Sequence, residues 1–228
     1  MSSLRTRGSS LYRRVLPDHA FAEGVLSDEV ESGWRVLDVG CGTGAKLLAA
    51  GLCARVEVHG VDGHVPSLEA AKQAGYASVT CSDLLDYLRQ CPDGAFDCLI
   101  SLDVVEHFPK EAGAEFLDEM SRVAAHRVIV LTPTGFVPQP PAPDNPYQEH
   151  LSGWWPKDLA EHGFQRFYGL NGWRPLRGEY AHPTVRPAVI GLVLSEASQL
   201  AVMKSPDKAY QFIGVRDIGP LGIDRVAR

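Results

Sequence analysis

An α/β fold on a mostly parallel sheet is predicted by three observations in this 228-residue chain. Short apolar runs alternate with helical patterns from Trp34 to about Tyr168, the texture of βαβ units. The first run passes directly into glycines and then a helix, Val36-Leu37-Asp38-Val39-Gly40-Cys41-Gly42-Thr43-Gly44. No internal repeat interrupts the alternation, so one domain with its own core is expected.

The first strand is expected over 34–39, then a helix over 43–54 with Leu47, Leu48, Gly51 and Leu52 on one face. The second strand is 55–61. Pro66 in a first turn and Gly75 just past an end bracket the next helix. Residues 76–80 form the third strand and 83–90 a helix. The fourth strand, 96–101, is continuously apolar apart from Asp97. A helix over 110–125 places Phe116, Leu117, Met120, Val123 and Ala124 at core spacing, and 127–132 is the fifth strand.

The texture then changes. Six prolines within 133–146 exclude helix and central strand, so 133–150 is expected to be an extended lid or binding loop. A short helix over 156–162 stops at Gly163. Segments 163–170 and 210–217 are the final strands, separated by an insertion, 171–208, with one helix over 187–200. The chain therefore divides into an N-terminal arm with helices, 1–33, and one domain, 34–228.

Composition narrows the partners. Apolar residues make up 45% and charged residues 22%, an ordinary globular balance. A net charge of −6 disfavours nucleic acid, because phosphate backbones reward clustered Lys and Arg. The one basic cluster lies within 5–14. No apolar run approaches the ~18 residues of a membrane span, and the basic start has no apolar core behind it. A cytoplasmic protein is expected. Five cysteines without a C-x-x-C pair argue against a disulfide framework or thiolate zinc site.

The glycine turn carries the strongest chemical signal. Glycines allow backbone to turn sharply and approach a ligand, and the following helix start offers unpaired N–H groups. Their G-x-G-x-G spacing differs from the G-x-G-x-x-G of dinucleotide folds. Asp62 ends the second strand, where a carboxylate can meet ribose hydroxyls, with Gly63 beside it. Ser82-Asp83-Leu84 follows the third strand, and either Ser82 or Asp83 could equally cap the next helix. The stretch Phe96-Asp97-Cys98-Leu99-Ile100-Ser101-Leu102-Asp103-Val104-Val105-Glu106-His107-Phe108 runs off the carboxyl edge of the sheet, where open α/β folds bind ligands.

Taken together, V-L-D-V-G-C-G-T-G resembles motif I, and 96–108 resembles motif IV, of class I S-adenosylmethionine-dependent methyltransferases. The E-H form of motif IV is similar to that of ubiquinone-pathway O-methyltransferases. The resemblance spans about 34–163, with Tyr147-Gln148-Glu149-His150-Leu151-Ser152-Gly153-Trp154 similar to a segment after the family's fifth strand. It implies a Rossmann-like sheet of seven strands, order 3-2-1-4-5-7-6, with helices on both faces. It also implies S-adenosyl-L-methionine as cofactor, contacted by Asp38, Gly40, Cys41, Gly42, Gly44, Asp62, Gly63, Ser82, Asp83, Leu84, Ser101, Leu102 and Asp103.

Methyl transfer from a sulfonium needs alignment above all, and a hydroxyl acceptor benefits from a base. His107 and His150 are the candidates. Asp103, Glu106 and His107, at i, i+3 and i+4, would share a helical face and with His150 could hold a divalent metal. Small-RNA 2′-O-methyltransferases have a comparable E-x-x-E-H pattern, with Glu where this chain has Asp103. Metal dependence stays open at this point. Acidity, the proline loop and the aromatics Phe136, Tyr147, Trp154, Trp155 and Trp173 favour a hydroxyl on a small molecule. The alternatives are an RNA or protein methyltransferase, a nicotinamide-dependent Rossmann enzyme and a non-catalytic ligand-binding protein.

Overall fold

The computed structural model describes residues 17–178 and 181–219. Its sheet has seven strands in the order β3-β2-β1-β4-β5-β7-β6, as expected. The strands are β1 Arg35–Val39, β2 Glu57–Asp62, β3 Ser78–Cys81, β4 Phe96–Leu102, β5 Ala124–Pro133, β6 Arg166–Trp173 and β7 Ala209–Asp217. β1 to β5 pair in parallel, while β7 runs antiparallel to both β5 and β6.

Both faces of the sheet are covered, so the central strands are apolar throughout rather than alternating. Successive residues feed opposite cores. Val36, Cys98, Ile100, Ile129 and Ile213 lie on one side, and Leu37, Val39, Leu99, Val128 and Phe212 on the other. The first core is closed by α1 Ala22–Glu29, α2 Ala45–Ala49 and α3 Val65–Gln73, through Leu26, Leu47 and Leu68. The second is closed by α4 Leu84–Gln90, α5 Lys110–Val123 and α6 Pro156–Glu161, through Leu88, Phe116, Leu117, Met120 and Leu159. The insertion carries α7 Ala188–Ala197 and α8 Gln199–Val202.

Several boundaries differ from expectation for local reasons. The helix expected over 43–54 ends at Ala49, because Gly51 adopts a φ of 69°, and a 3-10 turn, Leu52–Ala54, follows. Gly51 is therefore a breaker, and Leu48 is exposed instead of packed. The helix expected over 187–200 is two helices meeting at Ser198. Part of the supposed arm belongs to the domain: Glu29 of α1 is nearly buried, receives Arg166, Arg127 and the Tyr168 hydroxyl, and so fastens α1 to the sheet. The basic cluster within 5–14 lies outside the described residues. Among the described residues no helix is long and apolar enough to cross a membrane. All five cysteines are free thiols, of which Cys41 and Cys98 are buried.

Candidate functional site

Where β1 ends, the chain must reverse over the sheet edge, and three glycines make that possible. Gly40, Gly42 and Gly44 have φ values of 77°, 51° and 73°, a region that other L-residues rarely enter. Gly40 is also required sterically, since a Cβ there would lie 2.4 Å from Val104 Cγ2. The Gly40 and Cys41 amides donate to the Val61 carbonyl at 2.8 and 3.1 Å, tying the turn to β2. Asp62, at the end of β2, accepts the Gly42 amide at 2.8 Å and the His64 amide at 2.7 Å. Its carboxylate thus frames the turn whatever else it binds.

Beside this turn lies a cavity of about 820 Å³, near the upper end of the ~300–1,000 Å³ of small-molecule sites. It opens at the carboxyl ends of β1 and β4, where the strand order reverses. Asp38, Gly40, Cys41, Gly42, Asp62 and Gly63 line one wall. Ser82, Asp83 and Leu84 line it beyond β3, while Asp83 also caps α4 by accepting the Asp86 amide at 3.0 Å. Leu102, Asp103, Glu106 and His107 line it from the end of β4, and His150 from the end of the proline loop.

Two expected cofactor contacts are corrected. Ser101 is buried with its hydroxyl donated to the Val39 carbonyl at 3.0 Å, so it braces β4 against β1 and does not line the cavity. Gly44 starts α2 and faces Tyr76, where a Cβ would lie 2.7 Å from the ring; it shapes the turn without lining the cavity. Asp97 sits at the opposite end of its strand, accepting the Arg35 amide at 2.7 Å. The aromatics are redistributed as well. Tyr147 lines the cavity, Trp154 is core, Trp155 lies under Arg174, and Phe136 and Trp173 are exposed. Of the insertion's described residues, Ala181 reaches the cavity wall.

The electrostatics of the walls follow from burial. Asp38 is 3% exposed, and loss of water pushes its carboxyl up to about 7 from an ordinary 3.8. Lys46 forms an ion pair with Asp103 Oδ2, and Gln211 donates to Asp103 Oδ1 at 2.6 Å. Asp103 itself has a φ of 58°, a strained value for a residue with a side chain. Sequence reasoning missed Lys46, Gln211 and Thr132. Gln211 lies 108 residues from Asp103, and no local pattern could reveal it.

Glu106 is 2% exposed. Its Oε2 accepts the Thr132 hydroxyl at 2.9 Å, and its Oε1 is buried with no partner among the described residues. Burial first, and Asp103 second, push its carboxyl up to about 8. His107 Nδ1 lies 2.8 Å from the Glu149 carbonyl and His150 Nδ1 2.7 Å from the Val137 carbonyl. A carbonyl only accepts, so each Nδ1 carries the hydrogen and each neutral ring keeps its lone pair on Nε2. The ring centroids are 4.9 Å apart, and burial holds His150 below its ordinary pKa.

The pair meets because the chain after the loop is fastened beneath the 3-10 turn Val105–His107. The Leu151 and Ser152 amides donate to the Glu106 carbonyl at 2.8 and 3.0 Å. Trp154 donates to Ser152 Oγ at 2.8 Å, packs where Gly113 leaves no side chain, and lies under Lys110. Of the four candidate metal ligands, the fold gathers three. Glu106, His107 and His150 each offer a ligand atom within 4.8 Å of the others, whereas Asp103 is held by Lys46 and Gln211. The helical face expected for them is a 3-10 turn.

Residues 36–127 match the family described as methyltransferase domain. Over 129 residues the chain is 31% identical to an ajmaline N-methyltransferase of Rauvolfia serpentina, covering 54% of this chain and 43% of that relative. The chain therefore spans less than half the length of that curated relative. A SAM-dependent methyltransferase of Archaeoglobus fulgidus aligns with a TM-score of 0.56 at 18% identity, covering 87% of this chain and 94% of that one. Magnesium protoporphyrin IX methyltransferase (ChlM) of Synechocystis, solved with bound SAM, aligns at 0.51 with 19% identity, covering 86% and 74%. At such identities the structural likeness shows the fold.

Proposed function

We propose that this chain is a class I S-adenosylmethionine-dependent methyltransferase that moves the cofactor's methyl group to a hydroxyl of a small molecule, a reading supported by the family match over 36–127. The observation that carries the reading is one cavity walled by the glycine turn and Asp62 on one side and by His107 and His150 on the other. The cofactor's ribose would meet Asp62, and its adenine the Ser82–Leu84 wall. Lys46 and Asp103 present opposite charges suited to the carboxylate and ammonium of its methionine end.

The reaction is then an in-line displacement. The acceptor oxygen loses its proton, bonds to the methyl carbon as the S–C bond breaks, and the sulfonium becomes a neutral thioether. Alignment supplies most of the rate, and the lone pairs on His107 and His150 suit removal of the proton. The proline loop favours a small acceptor, because Tyr147 and the adjoining loop residues line the cavity. An amine acceptor is the second reading, favoured by the N-methyltransferase activity in the relative's name.

The test has two steps. S-adenosylmethionine and S-adenosylhomocysteine should raise the melting temperature, since a ligand of the native state alone shifts unfolding, and NAD should not. Labelled S-adenosylmethionine should then mark a small-molecule fraction of cell extract. Label confined to RNA or protein would overturn the acceptor class, and stabilisation by NAD alone would overturn the cofactor.

A further inference from the structure

The helices of the insertion are amphipathic in the inverted sense. Toward the sheet, α7 and α8 present small and polar residues, Gly191, Ser195 and Gln199 among them. Gly191 lies against Pro183 and Val185, where a Cβ would be 2.8 Å from Pro183 Cβ. Ser195 Oγ accepts Arg177 Nε at 2.8 Å. Gln199 Nε2 donates to the Gly169 carbonyl and Gln199 Oε1 accepts the Gly172 amide, both at 2.8 Å. These bonds satisfy open backbone groups of β6, the last strand of the sheet.

The opposite face is aliphatic. Val189, Ile190, Val193 and Leu194 of α7 and Leu200 of α8 are 45–71% exposed. Trp173, whose amide donates to Ser198 Oγ at 2.7 Å, is exposed beside the junction of the two helices. A surface helix ordinarily turns its aliphatic residues to the core, and a contiguous exposed apolar patch marks a contact surface. None of these residues lines the cavity, so the face is separate from the candidate site.

We infer that this face joins two copies of the chain, α7 against α7 across a two-fold axis. Area is the first argument. A fully exposed Val, Leu or Ile side chain presents roughly 60–120 Å² and a Trp ~150–250 Å². At the observed exposures the patch offers roughly 250–450 Å² of apolar side chain per copy. An ordinary interface buries ~800 Å² per partner, of which about 65% is apolar in homodimers. The patch thus supplies about half or more of the apolar area, and Ala197 and Ala201, exposed along the same stripe, extend it.

Charge is the second argument. A two-fold interface pairs each residue with its mirror position about the axis. Centred on Val189, Ile190, Val193 and Leu194, two antiparallel helices rising ~1.5 Å per residue bring Arg186 of one copy within roughly 3 Å, along the axis, of Glu196 of the other. Opposite charges therefore bracket the aliphatic quartet at both ends and fix the register. A lipid surface suits the face less well. Anionic lipid attracts clusters of Lys and Arg, whereas this chain carries a net charge of −6 and the stripe itself holds Glu196.

Sedimentation velocity of the full chain is recorded over several decades of concentration, with thermal unfolding on the same samples. Wild type should pass from monomer to dimer, and its melting temperature should rise with concentration, as linkage to association requires. Val193→Asp and Ile190→Asp place a carboxylate where the single chain is open to water, and each should weaken the dimer by roughly 30-fold or more. Leu48→Asp, at an exposed leucine of α2, should dimerise as wild type does. Arg186→Glu and Glu196→Arg should each weaken the dimer, and the double variant should regain it. Wild type that stays monomeric at every concentration overturns the inference, as does a dimer left intact by Val193→Asp and by both charge reversals. Binding of the monomer to vesicles of phosphatidylcholine and phosphatidylglycerol, abolished by Val193→Asp, would assign the face to a lipid surface and overturn it too. The wild-type mass and the charge-reversal pair decide even if an aspartate variant fails to fold.

Discussion

Tyr76 donates its phenolic hydrogen to Asp38 Oδ2 at 2.5 Å, inside the core beneath the glycine turn. The bond joins the end of β1 to the segment just before β3 and supports the only carboxylate that faces the cavity from within β1. It also leaves Asp38 dependent on a neutral partner, because Lys46, whose charge acts on it, is already paired with Asp103.

A pH dependence follows. The folded pKa of Asp38, about 7, lies above its ordinary 3.8, so the folded state binds more protons across that window. Its contribution to stability is complete below about pH 4 and is lost as pH rises through about 7. Asp38→Asn keeps an oxygen for the Tyr76 hydroxyl and removes the titration. The stability of the variant relative to wild type should therefore increase between pH 4 and 8 in urea unfolding. A difference that stays constant with pH would refute the assignment. Cofactor binding brings positive charge and should tighten over the same range in wild type alone.

Gly40→Ala should abolish the turn's geometry. The new Cβ would meet Val104 at 2.4 Å in a backbone conformation that alanine resists. Such strain costs on the order of 1–3 kcal/mol. The variant should melt several degrees lower and lose its stabilisation by S-adenosylhomocysteine. Gly33→Ala, also at positive φ but with nothing within 4 Å, should lose stability without losing the ligand response.

How much of this was legible in the sequence depended on the range of the interaction. The glycine turn is local, and nine consecutive residues declared it. The strand order needed the family resemblance, since periodicity gives strands but not neighbours. Ser101 was misplaced because β4 is buried on both faces, and an apolar run does not say which side chains turn toward the ligand edge. Gly51 was read as packing because a single glycine in a helical pattern is ambiguous until its φ is known. His107 and His150 could be paired from sequence only through the adjacency of β4 and β5. Asp103's removal from the metal set depended on Gln211 in β7, which no spacing rule reaches.

The proline loop rests on the turn that follows β2. The Tyr147 ring lies against Gly63, where a Cβ would be 3.4 Å away, and His64 Nε2 lies 3.2 Å from the Asp144 carbonyl. Tyr147→Ala should open the cavity mouth, speed S-adenosylhomocysteine release in stopped flow, and leave thermal stability nearly unchanged, because the side chain is 61% exposed. Cleavage of 133–146 by a protease should slow when cofactor is bound. Equal cleavage with and without cofactor would remove the lid role.

The Lys46–Asp103 pair gives the sharpest test of how the cofactor's methionine end is held. Both side chains line the cavity, and both are partly exposed, so the ion pair itself contributes little to folding. Its effect on binding is larger if each partner turns to the opposite charge of the amino-acid zwitterion, since a hydrogen bond to a charged group contributes ~1.5–3 kcal/mol. Lys46→Met should therefore weaken S-adenosylhomocysteine by roughly 10- to 100-fold and barely change adenosine, which lacks the carboxylate. The melting temperature of the free protein should stay close to that of wild type. Calorimetric titration with both ligands separates the possibilities. If Lys46→Met weakens adenosine as much as S-adenosylhomocysteine, the lysine acts on the wall as a whole, and the methionine end is held elsewhere.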